Sequence, residues 1–168
     1  DALVVVPRIC GICSVAQSAA AAVALADLCA VATPVNGQLA RHLVQATENL
    51  ADHLTHFYLF FMPDFARTDY VDRNWHPAVA ARFAATTGSA APAVLVARAN
   101  FLKLLGFLAG KWPHTLALQP GGSTRAVGSA EVVRILAQLR GFRAFLEGEL
   151  LGDTLESFAA LSSEAELR

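Results

Sequence analysis

The sequence has few charged residues for its length. Only 16% of its 168 residues are charged, 55% are apolar, and the formal net charge is −1. This balance gives no electrostatic reason to expect nucleic acid or an anionic membrane surface as a partner. It also leaves more apolar surface to bury than a free-standing domain of this length usually offers. We therefore expect residues 1–168 to form a single partial domain of something larger.

Other familiar signals are missing as well. There are no internal repeats, low-complexity linkers or phosphate-binding glycine loops, and three cysteines, two of them in one loop, do not make a secreted disulfide framework. No positively charged segment precedes an apolar stretch at the N-terminus, so no signal peptide is predicted. The charge-free run from Ile9 to Ala26 is rich in alanine and contains Ser14 and Gln17. It predicts a buried helix and no direct membrane span.

The apolar spacing predicts a mainly α fold. The β-branched run from Ala2 to Val6 predicts a brief strand, and Ser14 and Asn36 are the expected caps of the first two long helices. Pro63 is expected to end the second one. The helices are predicted at about 14–32, 36–62, 77–86, 91–108 and 129–150, with a weaker pattern from 153 and polar loops over 64–76 and 110–128.

The second long helix carries two patterns of interest. Apolar residues at helical spacing predict its buried stripe. They are Leu39, Leu43, Ala46, Leu50, Leu54 and Phe57. Glu48, Asp52 and His56 follow one another at intervals of four residues and therefore share one face.

Two cysteines, Cys10 and Cys13, flank Gly11 just before the first long helix. A Cys-x-x-Cys loop that opens a helix can direct both thiolates at one metal or at each other, and the helix N-terminus favours the ionised sulfur. The spacing alone leaves open half a zinc site, a thioredoxin-like redox pair or half of a thiolate-held cluster site. Zinc is disfavoured because no second Cys-x-x-Cys or His-x-x-x-His follows. Cys29 is expected to be a small buried residue of the following helix and not a ligand.

Three segments, in order, resemble the large subunit of nickel–iron hydrogenases. The segment Arg8-Ile9-Cys10-Gly11-Ile12-Cys13 resembles that family's first ligand motif. Asp52-His53 followed by His56-Phe57-Tyr58 resembles its helix that passes over the active site. Gly110-Lys111-Trp112-Pro113-His114, followed by Gly121-Gly122, resembles its Gly-Lys-x-Pro-His and Gly-Gly segment. The resemblance implies an N-terminal fragment of that helical-bundle fold, with short strands and long loops, and without the family's N-terminal start and C-terminal ligand motif.

The resemblance also implies a metal centre. Cys10 would bind nickel terminally, and Cys13 would bridge nickel to an iron that carries CO and cyanide. Soft thiolates suit this role. The family's other two cysteine ligands come from a C-terminal Cys-x-x-Cys that this sequence does not contain, so the chain would hold half of the site. The implied partner is a small subunit with iron–sulfur clusters.

Four further residues acquire roles by the same resemblance. Gln17 stands where most members have histidine, as in the regulatory, H2-sensing type, and its amide would donate a hydrogen bond to the bridging sulfur without titrating. Asp52 would place a carboxylate above the open metal position. Arg8 would pair with a buried carboxylate, and His114 would lie in a loop that faces the small subunit. The structural alternatives are a packing glutamine, a surface aspartate, a surface arginine and a histidine bonded to a backbone carbonyl.

The implied reaction is the reversible cleavage of H2 into protons and electrons, the electrons leaving through the small subunit. Gln17 favours an H2 sensor that signals to a histidine kinase in the cytoplasm; the alternative is a respiratory uptake hydrogenase, which would be membrane-associated or periplasmic. A more distant alternative is the metal-free complex I subunit of the same fold, which works with quinone, and the pair Cys10 and Cys13 argues against it. A free-standing Cys-x-x-Cys redox protein would need a compact α/β domain. The chain alone is expected to be inactive.

Overall fold

The computed structural model describes residues 1–167, and the predicted mainly α fold is confirmed. The α-helices are α1 (Ala2–Val5), α2 (Ser14–Leu28), α3 (Val35–Thr55), α4 (Met62–Phe65), α5 (His76–Phe83), α6 (Ala90–Ala109), α7 (Ser129–Phe145), α8 (Leu155–Ala160) and α9 (Glu164–Leu167). Two 3-10 turns cover Val6–Arg8 and Thr68–Tyr70, and two π-helical segments cover His56–Phe61 and Leu146–Leu151. The short strands β1 (Leu118–Gln119) and β2 (Gly122–Ser123) pair antiparallel. This architecture does not provide the compact α/β domain of a thioredoxin-like redox protein.

The core lies where α6 packs between α3 and α7. Phe101 of α6 stacks on Phe142 of α7 with their ring centroids 3.9 Å apart, and Leu105 beside it is fully buried. From α3, Val44 and Leu54 complete this apolar centre. Burial of side chains of this size stabilises a fold by about 1.5–3 kcal/mol each. The core therefore fixes α3, which reaches the Cys10–Cys13 loop, relative to the rest of the chain.

The predicted buried stripe of α3 is largely wrong. Leu39, Leu43 and Leu50 are 54%, 55% and 46% exposed, whereas Leu54 is buried as predicted. The buried face instead comprises Val44, Thr47, Glu48, Ala51 and Leu54. The two stripes have the same period and are displaced by one residue, so periodicity cannot distinguish them. Only packing against α6 selects the second one.

Pro63 does not end the second long helix. The π-helical segment His56–Phe61 follows α3 directly, and the Met62 N–H donates to the carbonyl of Phe57, five residues earlier. Pro63 then falls in the first turn of α4, where a missing N–H is tolerated. The helix also begins at Val35 after Pro34, so Asn36 is not its cap.

Two other local predictions are wrong. The run from Ala2 to Val6 is helical, with the Val5 N–H donating to the carbonyl of Asp1 at 3.1 Å, because no strand within residues 1–167 lies beside it. Cys29 is exposed and not buried. It follows the last residue of α2 and lies beyond that helix's buried positions, which end at Ala26.

α6 is long and apolar enough, by length and composition, to cross a membrane. Core helices of soluble proteins meet the same criterion, and Phe101, Leu104 and Leu105 of α6 are buried in the core. α2, which contains most of the charge-free run, has only 15 residues. The absence of a direct membrane span stays a prediction.

Candidate functional site

Cys10 and Cys13 lie together in the loop between the Val6–Arg8 turn and α2. Both are half-buried, their Cα atoms are 5.6 Å apart, and their sulfur atoms are joined as a disulfide. Ile9 and Ile12 in the same loop are 73% and 60% exposed. The loop thus brings two sulfur atoms to one point on an open, apolar face of the chain.

This pair fits one part of a metal site. Reduction of the disulfide would yield two thiolates, the soft ligands that nickel and iron accept. Within residues 1–167 no group of three or more His, Cys, Asp or Glu side chains could hold a metal ion. The two sulfur atoms alone therefore make an incomplete donor set for a metal ion within these residues.

Gln17 lies one helical turn after Cys13 and approaches its sulfur. The side-chain Nε2 is 3.8 Å from Cys13 Sγ, a donor–acceptor distance within hydrogen-bonding range for sulfur. The Gln17 N–H also donates to the Cys13 carbonyl at 3.1 Å, so the first turn of α2 holds the two residues together. The neutral amide can donate to the sulfur at any pH.

A buried carboxylate that was predicted only to share a helix face with Asp52 and His56 caps α2. Glu48 of α3 is 3% exposed, its Oε1 accepts from the Val15 N–H at 2.9 Å, and its Oε2 accepts from the Ala16 N–H at 3.0 Å. The Ser14 hydroxyl donates to Oε1 at 3.4 Å. Ser14 is thus the first helical residue, and Cys13 holds the cap position expected for Ser14. Side-chain oxygens normally satisfy such free N–H groups from within the same segment.

The Gly110-to-Gly128 loop joins this cluster. Trp112 Nε1 donates to Glu48 Oε1 at 2.8 Å, and the His114 N–H donates to Ser14 Oγ at 3.2 Å. The Arg98 guanidinium lies 5.4 Å from the centre of the Trp112 ring, a cation–π contact. His114 therefore contacts the start of α2 through its backbone, while its side chain is half-buried.

The glycine pair of this loop has a packing role. Gly122 has φ +130°, and a Cβ built on it would lie 2.7 Å from the Gly37 Cα. Only a residue without a side chain allows the β1–β2 turn to approach the first turn of α3 this closely. The pair Gly121-Gly122 thus brings the loop against α3, at a point that follows Trp112 and His114 in the sequence of the loop.

Asp52 and Arg8 are both exposed. Asp52 is exposed one turn beyond Glu48, and its carboxylate has no hydrogen bond or ion pair with the residues that the structure describes. Arg8 is exposed and donates to the Val4 carbonyl. Its predicted pairing with a buried carboxylate stays a prediction, since Glu48, the buried carboxylate near the loop, is satisfied by backbone amides and Trp112 instead.

Comparison with known proteins gives consistent results. A family model described as "Nickel-dependent hydrogenase" matches residues 1–93. The chain is 25% identical over 165 residues to the periplasmic NiFeSe hydrogenase large subunit of Desulfomicrobium baculatum, covering 90% of this chain and 32% of that protein. It is 32% identical over 72 residues to the hydrogenase-2 large chain of Escherichia coli K12, covering 43% and 12% respectively.

A solved structure shares the fold over most of the chain. The reduced Ni-Fe-Se hydrogenase of D. vulgaris Hildenborough superposes with a TM-score of 0.75 and 25% identity, covering 90% of this chain and 33% of that one. The described helices and the Cys10–Cys13 loop thus belong to this fold. The chains of the relatives that adopt it are about three times longer. The chain spans about a third of the length of the D. baculatum relative, which matches most of this chain.

Proposed function

Since this chain belongs to the nickel-dependent hydrogenase family, we propose that it is part of a hydrogenase large subunit and supplies half of the ligands of a nickel–iron centre. The implied reaction is the reversible oxidation of H2 to protons and electrons. The placement of Cys10 and Cys13 in one loop at the start of α2, within the large-subunit fold, carries the proposal. The family match and the cysteine pair both argue against the metal-free complex I alternative.

The residues in and near the Cys10–Cys13 loop have distinct roles in this proposal. Cys10 and Cys13 would hold the metals through their thiolates. When bound, the nickel–iron centre, whose iron carries CO and cyanide, supplies Lewis acidity and redox chemistry that no side chain provides. Gln17 donates to the Cys13 sulfur, and its position one turn into α2 supports this role. Asp52, exposed beyond Glu48, is available to take or pass a proton.

A partner subunit with iron–sulfur clusters would complete the protein. We place His114 and its loop toward that partner by resemblance to the family's Gly-Lys-x-Pro-His segment, and the His114 N–H ties this loop to the first residue of α2. Electrons would leave the site in that direction. Arg8, exposed beside the cysteines, is then free to meet a carboxylate from outside the described residues.

For the physiological role we propose an H2 sensor that reports to a histidine kinase in the cytoplasm. Gln17, in place of the usual histidine, supports this assignment. The second candidate is an uptake hydrogenase, favoured by relatives such as the periplasmic large subunit of D. baculatum. The two candidates share the ligands Cys10 and Cys13 and differ in turnover and in their response to oxygen.

The ligand assignment is tested by nickel content. In the complete protein purified with its small subunit, we expect Cys10→Ser and Cys13→Ser each to abolish stoichiometric nickel and H2-dependent dye reduction, because a hydroxyl is a poor ligand for nickel. Cys29→Ser is the matched control, since Cys29 is a free, exposed cysteine on the far end of α2 and should be dispensable. Stoichiometric nickel in the Cys13→Ser protein would refute the assignment.

The two physiological roles are separated by H2-dependent dye reduction measured with and without oxygen. Slow turnover that persists in air supports the sensor. Fast turnover that oxygen suppresses supports the uptake hydrogenase and removes the functional meaning of Gln17.

A further inference from the structure

Glu48 is the most heavily bonded buried side chain near the cysteine loop. Its two oxygens accept from four donors, namely the Val15 and Ala16 N–H groups, the Ser14 hydroxyl and Trp112 Nε1. Only an ionised carboxylate is acceptor-only and can receive all four at once. Glu48 therefore brings a full negative charge to the first turn of α2 on a residue that is only 3% exposed.

This arrangement differs from ordinary helix capping in the same chain. Glu131 accepts from the Gly128 N–H at 2.9 Å and so closes the first turn of its own helix, α7. Glu48 belongs to α3 and reaches α2 across 33 residues of sequence, although the residue at the cap position of α2 is Cys13. The cap of α2 is thus supplied from another helix and leaves Cys13 available as a ligand.

The charge also acts on the electrostatics of the loop. A helix N-terminus carries a partial positive charge equivalent to roughly half an elementary charge. At the start of α2 that charge lies next to Cys13, where it would draw electron density from the sulfur. A carboxylate bonded to the same N–H groups opposes it.

We propose that Glu48 is a positioning residue that fixes the Cys13 loop and offsets the positive end of α2 beside the Cys13 sulfur. Its effect on the metals rests on the proposed function, whereas its hold on the first turn of α2 does not. Trp112 and Ser14 extend this hold to the Gly110-to-Gly128 loop. With Gln17 acting on the sulfur directly, Glu48 sets the field in which the sulfur lies.

The proposal predicts shifted infrared bands for one substitution of Glu48 and nearly unchanged bands for another. Glu48→Gln keeps the size of the side chain but removes the charge and turns an NH2 group toward N–H donors. A bound centre should then be poorer in electrons, so the infrared bands of the iron's CO and cyanide should shift to higher wavenumber and its reduction potential should rise. Glu48→Asp keeps the charge, and its bands should stay close to those of the unsubstituted protein.

These spectra are to be recorded on the complete protein with its small subunit, at matched nickel content. Glu131→Gln is the control, because it removes a capping carboxylate of a helix that does not carry the cysteines. Unshifted bands in Glu48→Gln, or an equal shift in Glu131→Gln, would overturn the electrostatic role. If Glu48 had a purely structural role, Glu48→Asp would disturb the infrared bands as much as Glu48→Gln does. The bands would then not shift in a consistent direction.

A second measurement does not depend on metal. Deuterium exchange of the Val15 and Ala16 amides, measured on the same complete protein without nickel, should accelerate by about tenfold or more in Glu48→Gln, because two bonds to a charged acceptor are weakened. Unchanged exchange would overturn the positioning role even if the protein proves to be a hydrogenase. Absence of nickel from the unsubstituted protein, together with accelerated exchange in the variant, would overturn the proposed function and leave the positioning role intact.

Discussion

Cys13 has two polar neighbours that act in different ways. The amide of Gln17 lies 3.8 Å from its sulfur, whereas the carboxylate of Glu48 binds the N–H groups of the helix that follows it. Groups that bond to a metal ligand, and groups that fix its backbone, tune a metal centre without being ligands themselves. The chemistry proposed for this chain thus depends on at least two residues besides its cysteines.

Gln17 is testable through the donor it places on the sulfur. Gln17→Leu replaces the amide with a slightly shorter apolar side chain and removes this donor, so we expect H2-dependent activity per nickel to fall by about 10- to 100-fold. Steady-state dye reduction on the purified complete protein, normalised to nickel, measures the effect. Gln38→Leu, which alters an exposed glutamine near the start of α3, should leave activity unchanged. Equal activity in both variants would show that Gln17 is a packing residue.

At this scale the sequence predicted what is local. The Gln17 contact with Cys13 spans four residues within one helix, so the position of Gln17 could be anticipated from spacing and resemblance. Glu48 could not be anticipated, because its partners lie 32 to 34 residues before it and 64 residues after it. Its spacing from Asp52 indicated a shared face but not that the face meets the start of α2.

Among the elements, α7 has a cap whose strength depends on pH. The hydrogen bond from the Gly128 N–H, together with the nearby Arg125 guanidinium, holds the pKa of Glu131 below its ordinary value. A lowered pKa in the folded state means that the carboxylate stabilises α7 above the ordinary carboxyl pKa. This contribution is lost as the pH falls through the lowered pKa.

We therefore expect Glu131→Gln to speed amide exchange in the first turn of α7 at neutral pH. The difference from the unsubstituted protein should shrink as the pH falls through the lowered pKa of Glu131, because below that pKa both proteins carry a neutral side chain. Exchange is best compared at matched intrinsic rates, so that the pH dependence of the chemistry itself cancels. A difference that persisted undiminished in acid would show that the charge of Glu131 is not what caps α7.

The elements themselves were predicted well where their signals lie within one segment. The helices α5, α6 and α7 begin within one residue of the predicted positions, since proline, small residues and the Ser129–Glu131 pattern mark their starts. The β-branched residues of α1 predict a strand. That prediction is wrong because such residues favour strands only where a neighbouring strand pairs with them. The buried face of α3 needed the position of α6, which the sequence pattern does not contain.

At the scale of the whole molecule, the exposed apolar side chains of α3 are the main feature. Leu39, Leu43 and Leu50 form a row along a helix whose adjacent face is already buried. Apolar groups in such number on one surface usually meet another protein surface. Because the relatives are about three times longer, we expect the remainder of the large subunit to cover this row.

The isolated chain should therefore bind an apolar fluorescent dye and hold no stoichiometric nickel, since two thiolates do not complete the centre. Leu43→Glu should lower dye binding by the isolated chain without loss of helix content by circular dichroism. The same substitution in the complete protein should reduce the yield of folded, nickel-containing heterodimer. Leu105→Glu, at a fully buried position of α6, is the contrasting variant. It should lower both the helix content of the isolated chain and the yield of the folded heterodimer. Tight one-to-one nickel binding by the isolated chain would contradict the half-site.

The bonds of Glu48 also have a consequence for the order of folding. α2 is local in sequence and can form early, but its first turn stays open until Glu48 arrives from 33 residues away and Trp112 from 64 residues beyond Glu48. Closing loops of this length costs chain entropy before the long-range contacts can offset it, whereas helix formation is local. The Cys10–Cys13 loop should consequently reach its final geometry late, after α3 and the Gly110-to-Gly128 loop have docked. Until then its sulfur atoms remain mobile and accessible to whatever delivers a metal.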